Sequence, residues 1–329
     1  MSRLIPVLFL AVAFAASATA QEKKATLSRD EVDEDFAFQG EYAGTLSRDG
    51  EDAKYGVQVV ALGGGKFDAV GYPGGLPGAG WNGEDKVRAS GERNGAELVI
   101  ANPEGTARAV IREGRMTIAI DGEEIGELQR TERKSPTLGA DPSEGAVVLF
   151  RGQKSDLKNF EPGARFENDN LRESFTTAEK FGDYTLHLEF MLSYMPHARG
   201  QARSNSGVYQ QGRYEVQVLD SFGLEGADNE CGGIYKAAAP SVNMCLPPLQ
   251  WQTYDIEFTA AKFDDGGKKT APARMTVKHN GVTIHDDVEV PAGTPGGTQA
   301  EGPGPGPIFV QNHGNPLYFR NIWIVSDSQ

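Results

Sequence analysis

Residues 203–220 read RSNSGVYQQGRYEVQVLD, and this stretch decides the fold. From Tyr214 onward, apolar and polar residues alternate. In an extended strand successive side chains point to opposite faces. Tyr214, Val216 and Val218 therefore share an apolar face that belongs between two sheets. Arg213, Glu215 and Gln217 share the other face, which presents a cation, a carboxylate and an amide in a row. That polar row suits a concave sheet that hydrogen-bonds a polyol, although a solvated outer face has the same pattern. Gln211-Gly212 joins this strand to the one before it as a hairpin, which brings Arg203 and Asn205 to one end of the same sheet. Asp220 has the opposite parity to Glu215. Without a bulge the two are not a same-face carboxylate pair, which argues against a two-carboxylate glycosidase arrangement.

Outward from this hairpin, short strand-like runs continue from residue 146 to 325, with no helical period sustained over 11 residues. About 180 residues of strands and turns imply a β-sandwich or jelly roll. Upstream, residues 55–62, 96–100, 107–112 and 115–120 alternate in the same way, separated by Gly63-Gly64-Gly65, Asn94-Gly95 and Asp121-Gly122. Residues 37–130 thus form a smaller antiparallel β domain. Its loop 71–83, GYPGGLPGAGWNG, is expected to pack its Trp on the sheet edge. Residues 131–145, TERKSPTLGADPSEG, carry no apolar period and read as a linker, and polar residues 21–36 as a poorly ordered start. The fold class is all-β, with the sandwich occupying 146–329.

The chain has 329 residues, 32 Lys plus Arg and 46 Asp plus Glu, for a net charge of −14. An acidic surface excludes nucleic acid or anionic membrane as partner. Arg3, the apolar run 4–16 and the small residues through Ala20 read as a secretory signal peptide cleaved after Ala20. The run is shorter than the roughly 20 residues that a membrane span needs. The protein is thus expected to be exported, periplasmic or secreted, with no membrane insertion. In an oxidising compartment Cys231 and Cys245, in one loop-rich stretch, are expected to form a disulfide.

A second polar constellation follows the strand 307–312, where His313 stands between Asn312 and Gly314. A histidine at a strand end can act as general base near neutral pH.

Several segments of the second domain, in order, carry a resemblance. They are Val148-Leu149-Phe150-Arg151-Gly152, Phe181-Gly182-Asp183-Tyr184, Asn205-Ser206-Gly207-Val208-Tyr209, Tyr214-Glu215-Val216-Gln217-Val218-Leu219-Asp220, Gly233-Ile234-Tyr235, Trp251-Gln252-Thr253-Tyr254 and Gln311-Asn312-His313-Gly314. Residues 146–326 resemble the 3-keto-disaccharide hydrolase domain family. The resemblance implies a concanavalin A-like lectin/glucanase sandwich and a carbohydrate or glycoside ligand. It also implies chemistry that needs one base: a 3-keto group acidifies the C2 proton, and its removal lets the C1 glycosidic bond leave. Glu215 or His313 is the expected base. Arg203, Asn205 and Gln217 are expected to bind hydroxyls or the 3-keto oxygen, with Gln311 and Tyr235 as further pocket residues. Glu215, His313 and an Asp are a candidate ligand set for a divalent metal, which the spacing does not require. The alternative is a non-catalytic carbohydrate-binding module, because a fold does not fix a function.

Overall fold

The computed structural model describes residues 24–326. The signal peptide expected over residues 1–20 lies outside the described residues. Among the described residues no helix is long and apolar enough to cross a membrane.

Eight strands come first: β1 (Gly40–Arg48), β2 (Glu51–Gly63), β3 (Lys66–Pro73), β4 (Val87–Asn94), β5 (Glu97–Ala101), β6 (Ala107–Arg112), β7 (Arg115–Ile120) and β8 (Glu123–Thr131). Each pairs antiparallel with the next, and β8 returns to β1 through Glu41↔Thr131 to Leu46↔Gly126. The smaller β domain is therefore a closed up-and-down barrel, which leaves no edge strand. Alternation sends Tyr42, Phe67, Leu98, Met116 and Leu128 into its interior, all buried. Trp81 of the 71–83 loop packs edge-on against Tyr72, with ring centroids 5.3 Å apart.

The remaining strands are β9 (Val147–Phe150), β10 (Phe166–Glu167), β11 (Asn170–Arg172), β12 (Phe175–Thr176), β13 (Tyr184–Leu192), β14 (Asn205–Gln210), β15 (Tyr214–Leu219), β16 (Trp251–Thr259), β17 (Lys262–Phe263), β18 (Lys269–Ala271), β19 (Ala273–His279), β20 (Val282–Val290), β21 (Phe309–Val310) and β22 (Leu317–Ser326). The larger sheet runs β10-β11-β22-β13-β16-β19-β20, with β9 also on β22. The smaller runs β12-β21-β14-β15. Their facing sides supply Leu186, Leu188, Tyr254, Ile256 and Phe258 from one sheet, and Val208, Val216, Val218 and Val310 from the other. This is the expected sandwich: two sheets closed over one apolar core.

Two segments are more tightly held than their composition suggests. Residues 29–31 and 34–37 form 3-10 turns, and Thr26 exchanges backbone hydrogen bonds with Tyr194, so 24–37 is tied to the sandwich rather than loose. The connection after β8 is clamped at both ends. Arg133 makes two hydrogen bonds to the buried Glu41, at 2.7 and 2.6 Å. Ser135 and Thr137 bond Thr253, and Thr137 also bonds Asp255. Short polar side chains find partners on β16 that composition alone does not announce.

The expected disulfide is not formed. Cys231 and Cys245 are free, buried thiols. Each sulfur already has a polar partner: Cys231 Sγ lies 3.2 Å from the Tyr254 hydroxyl, and Cys245 Sγ 3.5 Å from the Leu219 carbonyl. Burial and the neighbouring Cys231 push the Cys245 thiol well up, which keeps it protonated.

Candidate functional site

The β14–β15 hairpin turns on Gln211 and Gly212, both with positive φ (54° and 65°). These two residues and Arg213 make the three-residue connection between the paired Gln210 and Tyr214, closed by the Arg213 N–H donating to the Gln210 carbonyl. Gln211 tolerates its positive φ because its side chain is anchored: Nε2 donates to the Phe181 carbonyl at 3.0 Å, and Oε1 accepts from Arg213 Nη1 at 2.9 Å.

The turn fixes the register Tyr209↔Glu215, Gly207↔Gln217 and Asn205↔Leu219. Strand β21 adds Phe309 opposite Tyr209. One face of the smaller sheet therefore gathers Asn205, Gly207, Tyr209, Glu215, Gln217 and Phe309, pointing away from the core. Glu215 is 2% exposed and Gln217 2%. Around this buried floor, Gln201, Tyr235, Phe309 and Gln311 are half-buried and form a rim.

Glu215 is the chemically distinctive group. Burial pushes its carboxyl up to about 7, partly opposed by a hydrogen bond from Tyr209. The Tyr209 hydroxyl lies 2.8 Å from Glu215 Oε2 and 2.9 Å from the Pro295 carbonyl. A phenol has one proton to give. With Glu215 ionised, Tyr209 donates to Oε2. With Glu215 protonated, the carboxyl donates to Tyr209, which passes its own proton toward Pro295. Both protonation states are hydrogen-bonded, as a group that gains and loses a proton in each cycle needs. Burial and the Glu215 charge push the Tyr209 hydroxyl well up, so it stays a donor.

The amides are arranged around this carboxyl. Gln311 Nε2 donates to the Tyr209 hydroxyl at 3.3 Å, and the Gln311 backbone N–H to Gly207. Gln217 Nε2 donates to Gln201 Oε1 at 3.3 Å, and Asn205 Nδ2 to the Gln201 carbonyl at 2.8 Å. The Tyr235 backbone N–H donates to the Glu215 carbonyl, which brings Tyr235 alongside β15. Asn205 Oδ1 and Arg203 Nη2 are buried without a hydrogen-bond partner among the described residues. Such atoms are uncommon enough in folded proteins to call for an explanation.

Two expected residues sit differently. Arg203 is buried, with Nε 2.6 Å from Asp220 Oδ2 and Nη1 3.4 Å from the Ala61 carbonyl of the barrel. Most of its guanidinium is committed to holding the hairpin and the barrel together. His313 is exposed on the loop after β21, and its side chain makes no hydrogen bond to a described residue. The imagined metal set of Glu215, His313 and an Asp does not assemble. Among the described residues, no three His, Cys, Asp or Glu side chains are grouped as a metal ion needs.

Gln201, Tyr209, Phe309 and Thr294, whose Oγ1 accepts the Glu215 N–H at 2.8 Å, escaped the sequence reading. Tyr209 was not within reach, because a two-residue turn on Gln211-Gly212 pairs it with Tyr214; the observed three-residue connection, 211–213, puts it opposite Glu215. Thr294 and Gln201 come from loops with no register to follow.

An open cleft of about 740 Å³ lies on the outer face of the other sheet and is lined by Arg151, Lys154, Asp169, Glu189 and Arg320. Its buried carboxylate, Glu189, is a poor base. Burial alone would raise it, but hydrogen bonds from His187, Asn321, Arg320 and the Gly139 N–H hold it at about 2. A carboxylate so stabilised has little affinity for a substrate proton. Glu215 has the affinity needed near neutral pH.

Residues 152–325 match the family model described as 3-keto-alpha-glucoside-1,2-lyase-like domain. Among solved structures, a protein of Parabacteroides distasonis provisionally named a glycosyl hydrolase is 32% identical, with a TM-score of 0.50 over 56% of this chain and 84% of its own. Two further Parabacteroides distasonis proteins, named in the same terms, are 16% and 22% identical, with TM-scores of 0.42 and 0.39. They cover 56% and 55% of this chain, and 95% and 99% of their own. No curated protein matches the chain.

Proposed function

Because the chain belongs to the 3-keto-alpha-glucoside-1,2-lyase-like domain family, we propose that it cleaves the glycosidic bond of 3-keto-glycosides by proton abstraction at C2, with Glu215 as the base. The family and the glycosyl hydrolase-like neighbour support a carbohydrate-active protein. The observation that carries the finer reading is the Glu215 carboxyl, buried on a polar sheet face and raised to about 7.

The 3-carbonyl acidifies the neighbouring C2–H. Glu215 Oε1, which makes no hydrogen bond to a described residue, takes that proton. The C–H electron pair moves into the C2–C3 bond and onto the carbonyl oxygen as an enolate. Its collapse restores the carbonyl, forms a C1=C2 double bond and expels the C1 oxygen, which takes up a proton. Water then adds across C1=C2 and releases the 3-keto-sugar. An enolate needs donors aimed at its oxygen. Gln217 Nε2 and Gln311 Nε2 each use one N–H on a described residue and keep one for the ligand. Asn205 Oδ1 is suited to a substrate hydroxyl, and half-buried Phe309 to the apolar face of a sugar ring. This chemistry asks for one base, in keeping with Asp220 being bound to Arg203.

The proposal includes export, on the reading of residues 1–20 as a signal peptide. Incubation of the mature protein with a 3-keto-glucoside, with and without chelator, tests the proposal. Release of the aglycone is expected; no release under either condition overturns it and leaves a carbohydrate-binding module.

A further inference from the structure

The barrel is filled at one end and hollow at the other. Phe67, Tyr42, Leu98 and Leu128 pack the filled end, near the 63–65 turn that meets His197 of the sandwich. Toward the opposite end the inward positions turn small. Ala69 stands directly opposite Ala89, Gly71 opposite Val87, and Ala109 between Ile100 and Ile118. An eight-stranded barrel is just wide enough to be filled by its own side chains or to hold one small ligand, so these side chains decide which. They leave an apolar cavity of about 140 Å³, lined by Tyr55, Val57, Ala89, Ile100, Ile118 and Ile120 among others. Ala89, Ala109, Ile120 and Ile125 remain half-buried because nothing fills the space above them.

We propose that this cavity is a binding site for a neutral single-ring aromatic molecule, with a phenol as the best-suited member of the class. An apolar void of about 150 Å³ takes a benzene ring, and the one charged residue of the lining, Arg108, is exposed to solvent rather than buried in the cavity. The polar side chains at the lining are few. Asn102 is used within its own turn, accepting from the Ala107 N–H and donating to Thr106 and Glu104. Tyr55, leaning over Gly71, makes no side-chain hydrogen bond to a described residue, so its hydroxyl is the partner for a ring hydroxyl. A sugar, with hydroxyls all round, finds too few partners here. The site is independent of Glu215 and of the reading given to it.

Titration of the full mature protein with p-cresol, toluene and glucose tests this. Saturable binding of p-cresol and toluene is expected, with none for glucose. Ala109→Phe should fill the cavity and weaken p-cresol at least about tenfold, while turnover at the Glu215 site is unchanged. Tyr55→Phe should weaken p-cresol but not toluene. If Ala109→Phe does not unfold cooperatively, Ala89→Val takes its place. No saturable binding of either ring, or equal binding to the filled variant, overturns the proposal.

Discussion

Gly207 leaves the space that the Glu215 carboxylate occupies: a β-carbon at 207 would collide with Glu215 Oε1. The two residues lie diagonally across the β14–β15 hairpin, and neither can change without moving the other. Gly207→Ala should therefore displace the carboxyl while leaving the fold intact, because the methyl group meets a side chain rather than backbone. A misplacement of about 1 Å at a reacting group costs roughly a hundredfold in rate. Turnover of a 3-keto-glucoside should fall by about that factor, with thermal unfolding still cooperative.

Tyr209→Phe removes the hydrogen bond that lowers the Glu215 pKa. The wild-type rate should rise with pH along a limb centred near 7, since the base must be ionised. In the variant that limb should move up by about one unit. A pH–rate profile of the two proteins checks it; a limb that moves down, or not at all, contradicts the assignment.

Folding stability should carry the same signature. Glu215 is raised from 4.5 to about 7, so between those pH values the folded protein holds a proton that the unfolded chain has released. Stability contributed by this group therefore falls as pH rises through that window. Glu215→Gln, which cannot ionise, should be more stable than wild type at pH 8 by roughly 3 kcal/mol at most. The difference should vanish near pH 4. Denaturant melts at the two pH values measure it.

The barrel connection offers a stability test away from the site. Glu41 is buried, and Arg133 holds both of its oxygens. Arg133→Ala leaves that carboxylate without its cation, which for a buried pair costs about 3–5 kcal/mol. Arg133→Lys should recover part of this, as a point charge cannot grip both oxygens. Urea midpoints of the three proteins give the comparison.

Much of this was legible in the sequence because one residue in two carries the information. Alternation through 214–218 assigned Val216 and Val218 to the core and Glu215 and Gln217 to the polar face. The same rule separated Asp220 from Glu215, and Asp220 is indeed bound to Arg203 instead. Barrel closure was not legible, since pairing of β8 with β1 joins segments some 85 residues apart with no local mark. Cys231 and Cys245 do lie side by side, as their closeness in the chain suggested, but as free thiols; the Tyr254 hydroxyl that meets Cys231 had no mark in the sequence. His313 looked like a base because residue type was all the sequence offered. Burial, which sets Glu215 apart, arises from Thr294, Pro295 and Tyr235 folding over β15 from distant loops.

The central claim is that Glu215 removes the C2 proton, and isotope exchange reads that step directly. A 3-keto-glucoside incubated with the protein in D2O should lose its C2 proton signal, through exchange or elimination, at an enzyme-dependent rate. Glu215→Gln should slow that loss by about 10²–10⁴-fold while binding the ligand with similar affinity. C2 proton loss that proceeds equally fast in Glu215→Gln, or glycoside cleavage that leaves the C2 proton in place, would contradict it.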